Sequence, residues 1–262
     1  MNAGWERRKE IELLETDESS KIENLMAEQL FNNATNSNRS LPAAVIFDMD
    51  GVLIDSNPFH LRKWTEFFRE HHIPVREEEL PKVVLGPPNE SIFRRFFGDN
   101  LTRAQMQELG EELEAKFRRA IGPQASPLPG VRRLIEECHA NGVTLALATS
   151  AISKNVECVL SALELRPYFA TIVTVEAISH PKPDPEVYLK TAAKLEVEPA
   201  DCGVFEDSFV GVEAAKRAGM KCVVIASTFP VEVLRRETRA DLVAPSFEEV
   251  SLLTLRQLFE GE

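Results

Sequence analysis

Two hydrophobic rhythms divide this chain. Pro42-Ala43-Ala44-Val45-Ile46-Phe47 is a short unbroken apolar run, the pattern of a strand buried on both faces. Over residues 58–70 the apolar positions switch to helical spacing, at Phe59, Leu61, Trp64, Phe67 and Phe68. Residues 89–97 and 102–121 continue as helices, parted by Gly98-Asp99-Asn100. The Gly- and Pro-rich stretch from Gly122 to Gly130 ends the helical run. Helix and strand then alternate: helix 131–140, strand 143–148, helix 153–163, strand 171–175, helix 185–195, strand 202–205, helix 210–218 and strand 222–225. Alternation of this kind predicts an α/β chain, a Rossmann-like parallel sheet with helices on both faces. Residues 41–56 and 126–262 form the sheet, and residues 57–125 an inserted all-helical domain.

The first 40 residues fall outside both patterns. Residues 6–30 carry helical spacing that Thr16-Asp17-Glu18-Ser19-Ser20 interrupts, and residues 32–40 are rich in Asn and Ser. The expectation is an N-terminal extension, either a poorly ordered tail or a peripheral helix. Its eight acids and five bases, with no apolar core, resemble neither a secretory signal nor an organellar transit peptide.

Composition narrows the function. A formal net charge of −12 argues against a general nucleic-acid partner, since phosphate backbones would be repelled. No apolar stretch reaches the roughly 18 residues that a membrane span requires. Cys138, Cys158, Cys202 and Cys222 are widely spaced and form no C-x-x-C pair, as expected of small buried hydrophobes in a reducing cytoplasm.

The chemistry lies where strands end. Asp48 and Asp50 follow the first strand, with Gly51 to let the chain turn. Thr149 and Ser150 follow the second, Lys182 stands in His180-Pro181-Lys182-Pro183-Asp184-Pro185, and Glu206, Asp207 and Ser208 follow a later strand. In a parallel sheet these ends share one edge, where ligands bind. Each has a plain reading alone: an Asx turn at Asp48, helix caps at Thr149 and Glu206, a surface lysine at Lys182. Together they supply four acids, the Thr149 and Ser150 hydroxyls and one ammonium, an inventory suited to a phosphoryl group and Mg²⁺. One carboxylate can attack phosphorus, and another two residues away can protonate the leaving oxygen.

Asp48-Met49-Asp50-Gly51-Val52-Leu53-Ile54-Asp55-Ser56, then Thr149, Lys182 and Glu206-Asp207 in that order, resembles the haloacid dehalogenase-like hydrolase superfamily. Within it the chain is similar to the branch of β-phosphoglucomutases and sugar phosphatases, whose mobile cap the helical insert matches. The resemblance implies that Asp48 is nucleophile and metal ligand, and that Asp50 is general acid/base and lends a carbonyl to the metal. Thr149, Ser150 and Lys182 would bind phosphate, and Glu206 and Asp207 would complete the Mg²⁺ site. His60, Lys154 and Asn155 would touch the substrate.

The chain departs from the mutase pattern in the cap. Leu85-Gly86-Pro87-Pro88-Asn89 has prolines where a mutase carries the arginine that grips a second phosphate, and Leu113 stands where a lysine is expected. Arg94, Arg95 and Lys116 are the cap cations able to compensate. Without such a grip a bisphosphate intermediate is held less firmly. The expected activity is therefore a Mg²⁺-dependent phosphatase acting on a small phosphorylated metabolite, with a phosphomutase as the alternative and a regulatory docking protein as a third reading. The expected chain is a monomer or weak homo-oligomer with no membrane or nucleic-acid partner.

Overall fold

The computed structural model describes residues 41–76, 78–84, 89–121 and 125–260. The expected N-terminal extension and the Gly86-Pro87-Pro88 loop lie outside the described residues. The described residues form a six-stranded sheet of β1 (Ala44–Phe47), β2 (Thr144–Ala148), β3 (Thr171–Val173), β4 (Cys202–Glu206), β5 (Lys221–Ile225) and β6 (Leu242–Ala244). All neighbouring pairs are parallel, in the order β3-β2-β1-β4-β5-β6. The order reverses at β1, whose two neighbours are β2 and β4, and this reversal opens a crevice beyond the carboxyl ends of β1 and β4.

Every residue of β1 is fully buried, which accounts for its unbroken apolar run. Ala44 and Ile46 join Ala146, Val204 and Tyr188 in one cluster. Phe47 stacks on Phe205 at 5.0 Å between ring centroids, and Phe205 in turn meets Phe247 at 5.1 Å. The central strand is thereby clamped, and the backbone that follows it is rigidly placed.

Between β1 and β2 the chain first forms α1 (Asn57–Glu70), α2 (Leu80–Val84), α3 (Asn89–Phe97) and α4 (Arg103–Ile121). These helices bury a core of their own, with Trp64, Phe67, Phe68, Phe93 and Leu113 at its centre. Trp64 meets Phe67 edge to face at 5.4 Å within this core. The remaining helices are α5 (Val131–Ala140), α6 (Ser153–Ala162), α7 (Glu186–Leu195), α8 (Phe209–Arg217), α9 (Val231–Glu237) and α10 (Leu252–Glu260). Contacts of α4 with α6 tie the helical insert to the sheet side of the molecule, while α4 also packs on α1 within the insert.

Local differences from the sequence reading have physical reasons. The strand expected over residues 171–175 stops at Val173, because its partner β2 ends at Ala148, the residue paired with Val173. Thr174 then turns its hydroxyl to Glu176 at 2.7 Å, and a short 3-10 turn follows. The sequence reading did not include α2, α9, β6 or α10. No helix among the described residues is long and apolar enough to cross a membrane.

Candidate functional site

The two ends that flank the crevice are built for close approach. Asp48 follows β1 directly, its amide donates to the Phe205 carbonyl at 3.0 Å, and it is 7% exposed. Gly51 takes φ +72°, and a Cβ there would lie 2.0 Å from Asp207 Oδ2. Glycine is required twice over, by backbone conformation and by the carboxylate that occupies the space. Gly211, in the first turn of α8, is required by space alone: a Cβ there would lie 1.9 Å from the Glu206 carboxylate. Gly211→Ala should therefore cost roughly 1–3 kcal/mol of stability by overpacking a buried charge network, measurable by urea unfolding.

Lys182 is the hub of that network. Its ammonium donates to Asp48 Oδ1 at 2.9 Å, to Glu206 Oε1 at 2.7 Å and to the Ala148 carbonyl at 3.3 Å. Three donors meet three acceptors, so the ammonium fixes which way the Asp48 carboxylate faces. Glu206 is fully buried and also accepts from the Tyr188 hydroxyl, the amides of Asp207 and Ser208, and the Ser208 hydroxyl. The loop carrying Lys182 is pinned by Glu186, which accepts from the amides of Ser179 and His180. Lys190 and those amides hold the Glu186 carboxyl down at about 2.

Three clustered carboxylates face a single buried ammonium. Burial pushes Asp48 well above the ordinary carboxylate range; Lys182 opposes, while Glu206, Asp207 and Asp50 push further up. Asp207 is raised to about 7 by burial and by Glu206, against the pull of Thr228 and Lys182. Burial pushes Glu206 up as well, but Lys182 outweighs it and keeps the carboxylate ionised. One oxygen from each of Asp48, Glu206 and Asp207 lies within 4.8 Å of the others. Lys182 engages Oδ1 of Asp48 and Thr228 engages Oδ2 of Asp207, which leaves one oxygen of each acid outside these bonds. Crowded carboxylate oxygens with raised affinity for protons are a donor set that suits a hard divalent cation.

Above these acids opens a cavity of about 810 Å³ lined by Asp48, Asp50, Thr149, Ser150, Asp207 and the underside of the helical insert. Asp50 Oδ1 is buried and has no hydrogen-bond partner among the described residues. His60 Nε2 stands 3.6 Å from it, a charge contact rather than a hydrogen bond. Burial raises Asp50, but His60, the Ser56 hydroxyl and Lys63 together outweigh it and hold the carboxyl below its ordinary value. Thr149 is buried, and its hydroxyl accepts from the Ala151 amide at 3.1 Å, so it shapes the turn as well as facing the cavity.

The insert contributes residues that the sequence reading did not single out. Glu114 Oε1 accepts from Lys63 Nζ at 2.9 Å and Asn89 Nδ2 at 3.0 Å, and its Oε2 accepts from Asn155 Nδ2 at 2.6 Å. All four residues line the cavity. Asn155 also accepts from Arg118 at 3.0 Å, so this α6 residue bridges two residues of α4. Glu114 is held ionised: burial opposes, and Lys63 and the two amides prevail. Lys154, expected at the substrate, lies elsewhere. It is exposed, does not line the cavity, and pairs with Glu111 at 3.0 Å. The candidate compensating cations are also occupied. Arg94 pairs with Glu90 at 2.7 Å, Arg95 lies over the Phe96 ring, and Lys116 is buried against Glu70 and Glu112. None of the three lines the cavity.

Comparison with known proteins adds the following. The family model described as haloacid dehalogenase-like hydrolase matches residues 45–225. Beta-phosphoglucomutase of Bacillus subtilis (strain 168) is 32% identical over 225 residues, covering 83% of this chain and 95% of its own length. Hexitol phosphatase B of Escherichia coli (strain K12) is 31% identical over 217 residues, covering 82% of this chain and 96% of its own. The crystal structure of a HAD hydrolase, family IA, variant 3, from Entamoeba histolytica aligns with a TM-score of 0.77 at 26% identity, over 83% of this chain and 99% of that one.

Proposed function

The chain belongs to the haloacid dehalogenase-like hydrolases, and on that premise we propose that it is a Mg²⁺-dependent phosphatase of a small phosphorylated metabolite, a sugar phosphate or close relative. The observation that supports this most is the placement of two carboxylates at one cavity, one gripped by a lysine and one held beside a histidine. Lys182 holds Asp48 Oδ1, and the Asp50 carboxylate lines the same cavity with its Oδ1 buried beside His60. Asp48 attacks phosphorus, the bond to the leaving oxygen breaks, and an aspartyl-phosphate forms. Asp50 gives the leaving oxygen a proton, then takes one from the water that hydrolyses the acyl phosphate. Its lowered pKa suits the second step; a phosphate dianion arriving beside it raises that pKa and suits the first.

Asp48, Asp207 and the main-chain carbonyl of Asp50 would hold Mg²⁺, with Glu206 completing the acid cluster while holding Lys182 in place. The cation supplies charge neutralisation for the acids and the phosphoryl oxygens. Thr149 and Ser150 face the phosphate, and His60 orients Asp50. Protons and Mg²⁺ should compete at this site. Asp207 is raised to about 7, so below that pH a cation must displace a proton to bind. The apparent Mg²⁺ affinity should therefore weaken as pH falls through about 7, with proton release visible by calorimetry in buffers of different ionisation enthalpy.

The assay that tests the reading is release of inorganic phosphate from a broad panel of phosphate esters with Mg²⁺. Turnover of some sugar phosphates is expected, and inactivity across the panel would reject it. A phosphomutase is the second reading, because the Bacillus relative bears that name. It requires that β-glucose 1-phosphate with a trace of bisphosphate yield glucose 6-phosphate with little free phosphate. The occupied state of Arg94 and Lys116 speaks for hydrolysis.

A further inference from the structure

We propose that Lys63 and Glu114 form a donor–acceptor pair that reads the hydroxyl groups of a neutral polyol carrying a single phosphate. The inference rests on the phosphatase reading and names the chemistry of the leaving group. Lys63 lies on the buried face of α1, four residues from Phe59 and four from Phe67, where an apolar side chain would be expected. A buried ammonium is costly unless something requires it. Its side chain is 3% exposed, it borders the cavity, and its ammonium lies 5.2 Å over the Phe117 ring. Among the described residues it gives one of its three N–H groups to Glu114.

The placement is continuous with the reaction centre. His60 sits one turn before Lys63 on α1 and stacks on the same Phe117 at 4.7 Å, while its Nε2 faces Asp50. A leaving group released beside Asp50 therefore runs along Lys63, then Glu114, then Asn155. Along that wall it meets ammonium N–H donors, carboxylate lone pairs and amide groups, which is what adjacent hydroxyls, each donor and acceptor, can satisfy. The ion pair carries no net charge, and the Glu114 carboxylate repels a second phosphate or a carboxylate at that end.

The matched probes are glucitol 6-phosphate and hexyl phosphate, six-carbon monoesters with and without hydroxyls, with p-nitrophenyl phosphate reporting the wild-type chemistry alone. The wild type should prefer the polyol ester by about 100-fold or more in kcat/KM, because a site built for hydroxyls leaves its polar groups unpaired with the alkyl chain. The double variant Lys63→Met/Glu114→Gln leaves no charge unpaired. It should lower that ratio by roughly 10–100-fold, mainly through KM for the polyol ester. Glu114→Asp keeps the charge but withdraws its oxygens, and should lower the ratio in the same direction. A purely structural pair would depress both esters together and leave the ratio intact, which would overturn the proposal, as would a wild type without the preference. A wild type that releases no phosphate from any of the three esters, p-nitrophenyl phosphate included, would instead reject the phosphatase reading beneath it.

Discussion

Asp48→Asn should lower phosphate release by at least about 10⁴-fold, the scale seen when a covalent nucleophile is removed. The substitution keeps the shape of the side chain and its hydrogen bond from Lys182, so the fold should survive it. Stability should move the other way. The Asp48 carboxyl is raised above its ordinary 3.8 by burial and by Glu206, Asp207 and Asp50, despite Lys182. A carboxyl whose folded pKa exceeds its unfolded pKa costs stability once the pH climbs through that range. Without metal at neutral pH, the asparagine variant should therefore unfold at higher urea than the wild type. Lost activity with gained stability is the signature of a residue kept for chemistry. A variant that is both active and less stable would make Asp48 a structural residue.

Lys182→Met should have the largest effect on stability, a loss of about 3–5 kcal/mol, the scale of leaving one partner of a buried ion pair uncompensated. Two carboxylates lose their counter-charge at once, since the ammonium bonds both Asp48 and Glu206. The pH dependence carries a sign. Lys182 is raised above its ordinary 10.5: burial opposes, but Asp48 and Glu206 prevail. Its stabilisation is thus complete below 10.5 and fades only above that. Glu206 is lowered from 4.5, so its stabilisation is complete above 4.5 and fades as acid protonates it. The wild-type Lys182–Glu206 pair is whole between those limits. In the variant the unpaired acids take up protons at higher pH, which relieves their repulsion. The stability gap between wild type and variant should therefore narrow from pH 7 to pH 5 in metal-free urea unfolding. A gap independent of pH would mean that Lys182 stabilises by packing alone.

The catalytic end of this site was legible because it depends on topology. A parallel sheet brings every strand end to one edge, so Asp48, Thr149, Lys182 and Asp207 could be placed together from their order in the chain. The cap side was not legible in the same way. Glu114 and Lys63 meet through the packing of two helices about half a hundred residues apart, which no local pattern encodes. A trace existed nonetheless: Lys63 interrupts the apolar stripe of Phe59 and Phe67, and a charge on a buried stripe needs a partner. Lys154 was expected at the substrate from the family resemblance, which matches a position in the chain but not the direction of a long side chain; here it turns to Glu111. Asn155, next to it, turns inward and is buried. The short β6 escaped because three residues, Leu242 to Ala244, are too few for a period to appear.

In the proposed reaction the phosphoryl group passes through Asp48. Acid quench of the enzyme during turnover of a sugar phosphate with Mg²⁺, followed by peptide mass analysis, tests that directly. The peptide bearing Asp48 should carry one added phosphoryl group in the wild type and none in Asp48→Asn. Steady phosphate release with no adduct at any quench time, together with an Asp48→Asn variant that still turns over, would contradict it.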